Sequence, residues 1–126
     1  MADLRVGVDL VDVPAFQARF EGRDDVLGEV FTGAELAYCR SRRAPWPHLA
    51  ARLAAKEAMV KALGSGFAGA LRWREIEVTR DEAGAPGLVL HGAAAAALEG
   101  RGLRVASVSL AHTLGQAIAV VLLSPA

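Results

Sequence analysis

Two apolar stretches of this chain each carry a carboxylate at a position where a core would not tolerate one alone. Gly7-Val8-Asp9-Leu10-Val11 reads as a buried strand with Asp9 in its middle. Ala54-Ala55-Lys56-Glu57-Ala58-Met59-Val60-Lys61-Ala62-Leu63 reads as a buried helix that carries Glu57. Burying an ionised carboxylate without compensation is very costly. Two such groups, far apart in sequence and each in a core-like element, point to a shared cation. A hard metal with oxygen ligands is the natural candidate. Magnesium takes one or two carboxylates and completes its shell with water and substrate phosphates.

The rest of the chain bounds the setting. With 126 residues, 53% of them apolar, the sequence is expected to form one domain, 1–126, around a single core. No run approaches the ~18 apolar residues of a membrane span, and no basic segment followed by an apolar run opens the chain. No membrane association is therefore expected. Cys39 is the only cysteine, which excludes an intrachain disulfide framework and suits a reducing, cytoplasmic setting. The formal net charge is zero, which disfavours nucleic acid as a partner, since that needs a basic surface.

The pattern along the chain is that of a mixed α+β domain. Residues 5–13 are strand-rich, Pro14 suits a helix start, and 15–20 form a short helix with Phe16 and Phe20 on one face. Residues 22–25 read as a polar turn. Thr32 followed by Glu35 has capping-box spacing and predicts a helix over 33–40. Residues 41–47 read as a loop, and 48–63 as the longest helix, ended by Gly64. Strands are expected over 73–79, 88–90, 105–110 and 116–123, with an Ala-rich helix over 92–99. Residues 111–115 would join the last two strands.

On the long helix, Glu57 and Lys61 are four residues apart and so share a face; Arg52 and Lys56 repeat that spacing one turn earlier. This offers a carboxylate for a metal and cations for phosphates, the mixture that a pyrophosphate ester requires. The same spacing also describes a solvated ion pair. Asp9 could equally cap a neighbouring backbone. His112, in the last connection, could donate to a phosphate or stand free in a loop. His48 and His91 read as structural or exposed. No histidine pair has zinc spacing, and Cys39 reads as a small buried hydrophobe.

Several blocks in order resemble the holo-acyl-carrier-protein synthases, the small trimeric class of 4'-phosphopantetheinyl transferases. They are the Asp9 strand; Phe31-Thr32 with Glu35 and Tyr38-Cys39; Arg52-Leu53-Ala54-Ala55-Lys56-Glu57-Ala58 with Lys61-Ala62-Leu63-Gly64; Glu75-Ile76-Glu77-Val78; Gly84 with Pro86; and Val108-Ser109-Leu110-Ala111-His112-Thr113. The resemblance implies a mainly antiparallel sheet packed on a long central helix, and transfer of the phosphopantetheine arm of coenzyme A to a serine of an apo acyl carrier protein. By this match Asp9 and Glu57 would bind Mg2+. Glu57 and Lys61 would be catalytic, with Glu57 as the base. Arg52, Lys61, Gly64, Ser65 and His112 would hold coenzyme A. A homotrimer with intersubunit sites is implied as well.

Two positions depart from the family pattern. Asp12-Val13-Pro14-Ala15-Phe16 lacks the basic residues that open the family's first helix, so carrier-protein docking would fall to Arg19 and Arg23 or to Arg40, Arg42 and Arg43. Ala111 stands where the family usually has a serine. A noncatalytic relative that binds a carrier protein or a nucleotide is the alternative reading.

Overall fold

A computed structural model describes residues 3–64 and 72–126. Strand β1 (Arg5–Asp12) leads into helices α1 (Val13–Phe20), α2 (Asp24–Val30), α3 (Gly33–Arg40) and the long α4 (Pro45–Leu63). A 3-10 turn (Trp73–Glu75) opens β2 (Ile76–Arg80), followed by β3 (Pro86–Leu90), α5 (Gly92–Gly100), β4 (Leu103–His112) and β5 (Gln116–Pro125). Strand β5 lies between β1 and β4 and is antiparallel to both, while β2 and β3 form a separate antiparallel ribbon. This is the α+β arrangement expected from the sequence.

Small residues decide how α4 meets the sheet. Ala54, Ala55, Ala58 and Ala62 are buried on the helix. Gly7 faces them, and a Cβ at Gly7 would lie 1.8 Å from the Ala58 carbonyl oxygen. Strand and helix therefore touch backbone to backbone. Asp9, two residues on, points to the same side of the sheet as Gly7. Larger side chains complete two cores. Met59, Leu63, Ile76, Val121 and Leu123 fill one between α4 and the strands. Phe16, Leu27, Phe31 and Leu49 fill the other among the first four helices.

The structure departs from the sequence reading in several places. Strand β1 is covered on one face only: Val6, Val8 and Leu10 are exposed. Residues 45–47 are not loop but the first turn of α4, where a proline loses no hydrogen bond. Asp24 and Asp25 do not end a turn; they open α2, where acidic side chains complement the helix dipole. Residues 73–75 are not strand, because the Trp73 and Ile76 carbonyls turn inward to the Lys56 ammonium. Ala111 and His112 belong to β4, and the reversal is confined to the residues around Thr113, whose hydroxyl accepts from the Gly115 and Gln116 amides. The capping box of Thr32 and Glu35 and the left-handed Gly64 after α4 (φ +85°) are as expected.

Candidate active site

Where β1 crosses α4, Asp9, Glu57 and Lys61 come together. The Lys61 ammonium donates to Asp9 Oδ1 at 2.8 Å and to the Val8 carbonyl at 3.2 Å. Asp9 Oδ2 is buried without a hydrogen-bond partner. Burial pushes the Glu57 carboxyl up to about 7, helped by a hydrogen bond to Asp9 and by its negative charge, against the opposing Lys61. A protonated Glu57 can donate to Asp9; once ionised, the pair has no donor for the buried oxygen. Asp9 also holds Lys61 firmly protonated. The two carboxylates and the lysine are thus one electrostatic unit, in which Lys61 pairs with Asp9 rather than with Glu57, the neighbour its helix spacing suggests. Beside Glu57 runs a groove of about 260 Å³ lined by Phe16, Arg19, Phe20 and Leu53.

The donor set suits a hard divalent cation. Among the described residues no group of three histidine, cysteine or carboxylate side chains could enclose a metal. Two carboxylates suffice for magnesium when water and phosphate supply the remaining oxygens. The orphaned Asp9 oxygen, in contact range of a second carboxylate, is the feature that such an ion would satisfy.

Arg52 and His112 belong to a second cluster on another side of α4. Arg52 is buried, donates to the His48 carbonyl at 3.2 Å, and lays its guanidinium 4.5 Å from the Tyr38 ring centroid. Arg42 and Arg80 reach the same ring at 5.6 and 4.8 Å. The His48 and His112 rings are 4.5 Å apart, centroid to centroid. Burial lowers His48 to about 4, and the charges of His112, Arg52, Arg42 and Arg80 add to the effect. Next to this ring stack lies a pocket of about 310 Å³ lined by Tyr38, Arg52, Glu77, Thr79 and Arg80, among others. The Arg52 Nε atom is buried without a partner.

The pairing register puts Asp9 and His112 on one face of the sheet. Asp9 pairs with Ala119, and His112 with Ala117, which in turn faces Val11. Two strands over and two residues along amounts to roughly 12 Å from backbone to backbone. The protomer therefore holds its anticipated residues in two groups. Gly64 follows α4 directly, and Arg5 and Arg101 donate to the adjacent Leu63 carbonyl. Ser65 lies outside the described residues.

Lys56 corrects the sequence reading. It is not a cation for phosphates: its side chain is fully buried, 2.8 Å from the equally buried Glu35. Glu35 in turn caps α3 and accepts from the Val78 amide at 2.9 Å. His48, Tyr38 and Arg80 were missed as parts of a shared cluster, because contacts between α3, α4, β2 and β4 leave no periodic trace. His91 pairs at 3.0 Å with Glu77, which lines the pocket beside the Tyr38 and Arg52 cluster. Cys39 is buried as expected.

The family model described as the 4'-phosphopantetheinyl transferase superfamily matches residues 5–113. The chain belongs to that superfamily. This phosphopantetheinyl transferase has relatives of its own length. The holo-[acyl-carrier-protein] synthase of Koribacter versatilis is 41% identical over 121 residues, covering 95% of this chain and 97% of that protein. The protein of the same name from Trichlorobacter lovleyi is 43% identical over 122 residues, covering 95% and 96%. The solved Chronobacterium ammoniagenes ACPS-CoA complex has a TM-score of 0.85 at 32% identity, with 98% of each chain covered. The acyl carrier protein synthase of Mycobacterium tuberculosis has a TM-score of 0.74 at 38% identity, with 97% of each covered. This phosphopantetheinyl transferase brings Asp9, Glu57 and Lys61 together at the crossing of β1 and α4.

Proposed function

We propose that this chain transfers 4'-phosphopantetheine from coenzyme A to a serine hydroxyl of an apo acyl carrier protein, releasing adenosine 3',5'-bisphosphate. The observation that carries the reading is the convergence of Asp9, Glu57 and Lys61. Asp9 and Glu57 would hold Mg2+, which supplies charge neutralisation at the pyrophosphate. Glu57, directly or through a bound water, takes the proton of the incoming serine. Lys61 stabilises the negative charge that gathers on the leaving bisphosphate. Arg52, His112, Gly64 and Ser65 hold coenzyme A, with Tyr38 and His48 orienting the first two.

The groove beside Glu57 is where the serine-bearing segment of the carrier would lie. Arg19 lines it and so is the arginine best placed to meet an acidic partner. Arg40 is already paired with Asp24 at 3.2 Å, and Arg42 leans on Tyr38. The enzyme works as a homotrimer. Val6, Val8, Leu10, Ile118 and Val120 leave the outer face of the sheet apolar and exposed, an area that a second copy would cover. Separate groups within one protomer then become parts of composite sites. A reducing cytoplasm, where carrier proteins and coenzyme A meet, is the corresponding setting.

The test is mass spectrometry of an apo acyl carrier protein incubated with coenzyme A and magnesium. The carrier should gain the mass of phosphopantetheine. Asp9→Ala and Glu57→Ala should abolish the gain while the protein stays folded. Lys61→Ala should lower the turnover number about ten- to a hundred-fold, the worth of one charge-assisted contact. Near-normal turnover by both carboxylate variants would exclude this site.

A further inference from the structure

Lys61 sits against oxygens that a metal would use. Its ammonium bridges the Asp9 carboxylate and the Val8 carbonyl, the kind of hard oxygens that coordinate a divalent ion. The two partners differ in freedom. The Lys61 side chain is 57% exposed, whereas Asp9 is 11% exposed and fixed on β1. A lysine is a compact charge on a flexible stem and can move to a new anion; Asp9 cannot follow it. The site as built carries two carboxylates and one ammonium, so one negative charge is already neutralised from within when both acids are ionised.

Resting on the reading of this centre as a phosphopantetheinyl transferase site, we propose that Lys61 is a placeholder cation. In the free protein it occupies the Asp9 half of the metal site. When coenzyme A binds, Lys61 turns from Asp9 to the pyrophosphate and frees the carboxylate. Two consequences follow. The free protein has a low affinity for divalent ions, because any ion must first displace the ammonium. Coenzyme A and the ion bind cooperatively, because the phosphate that draws Lys61 away also removes the ion's competitor at Asp9. By linkage, each raises the affinity for the other by the same factor. The device prevents the protein from holding a metal idly between turnovers.

The test reads metal binding rather than turnover. Free Mn2+ is followed by electron paramagnetic resonance as it is titrated into the wild type, Lys61→Met, Lys61→Arg and Asp9→Asn. Without coenzyme A, Lys61→Met should bind Mn2+ about tenfold more tightly than the wild type, a gain set by one charge-assisted bond to a buried acid from a half-exposed lysine. Lys61→Arg retains the charge and should stay near the wild type. Asp9→Asn should bind poorly throughout, which assigns the ion to this site. With saturating coenzyme A, the wild type should tighten and its deficit relative to Lys61→Met should vanish. If Lys61→Met is no tighter than the wild type without coenzyme A, while the wild type still binds Mn2+ in its presence, the placeholder role is refuted and the metal site stands. If the wild type binds no Mn2+ even with coenzyme A, both the placeholder and the metal site fall.

Discussion

Glu57 and Asp9 make the free protein sensitive to pH in a direction opposite to that of most acidic side chains. The carboxyl of Glu57 rises from 4.5 to about 7 in the folded state because of burial, then its hydrogen bond to Asp9 and their like charge. A raised acid binds its proton more tightly folded than unfolded, so the unfolded state binds fewer protons across this window. Stability then falls as pH rises from about 4.5 to about 7, and levels off above. Urea midpoints on either side of the window should show this slope in the wild type and its loss in Glu57→Gln. Saturating magnesium should also flatten it, since an ion between the carboxylates replaces the missing proton. A second residue-scale prediction concerns Lys56 and Glu35, which are both fully buried and 2.8 Å apart. Lys56→Met alone leaves a buried carboxylate and should cost about 3–5 kcal/mol. Adding Glu35→Gln should recover a large part, as a double-mutant cycle of denaturation midpoints would show. The carboxylates of the site were legible in the sequence because each interrupts an apolar run. The buried Lys56 was not: on a helix wheel it is one more cation, and its burial is made tolerable by partners from other segments, the Glu35 carboxylate and the Trp73 and Ile76 carbonyls.

At the scale of elements, the crossing of β1 and α4 depends on the absence of side chains. Gly7→Ala places a methyl 1.8 Å from the Ala58 carbonyl, which is backbone and cannot turn aside. The strand must shift, at about 1–3 kcal/mol, and Asp9 shifts with it. Thermal unfolding and phosphopantetheine transfer should therefore fall together. Gly28 provides the contrast. It lies inside α2, and a Cβ there would meet nothing within 4 Å, so Gly28→Ala should stabilise by about 0.5–1 kcal/mol and leave transfer unchanged. The long helix and the last two strands were readable because their apolar pattern persists over many residues. Helix α2 and the first turn of α4 were not, since aspartates and prolines mark helix starts and turns alike. The Tyr38, Arg52, His48 and His112 group was hidden for a different reason: it is assembled from α3, α4 and β4, and no single segment announces it.

For the whole molecule, the exposed face of the sheet is the surface on which the proposed trimer rests. Val6 and Leu10 are more than half exposed, and Val8 between them is 51% exposed. A trimer that covers this face should be seen by light scattering at micromolar protein. Val6→Glu, which touches none of the site residues, should give a smaller, still folded species by the same measurement and by circular dichroism. A wild type that is only monomeric would count against composite sites. The strand that bears this face has one more property. Its hydrogen-bonding partner is β5, so Arg5 lies opposite Leu123, and the first strand of the fold is closed by the last. During synthesis β1 has no strand to pair with, and its edge stays open, until β5 has been made. Asp9 thus waits on Ala119, its partner across the ladder and far along the chain, and a pairing of such long range forms slowly and leaves a strand edge open to aggregation until it does.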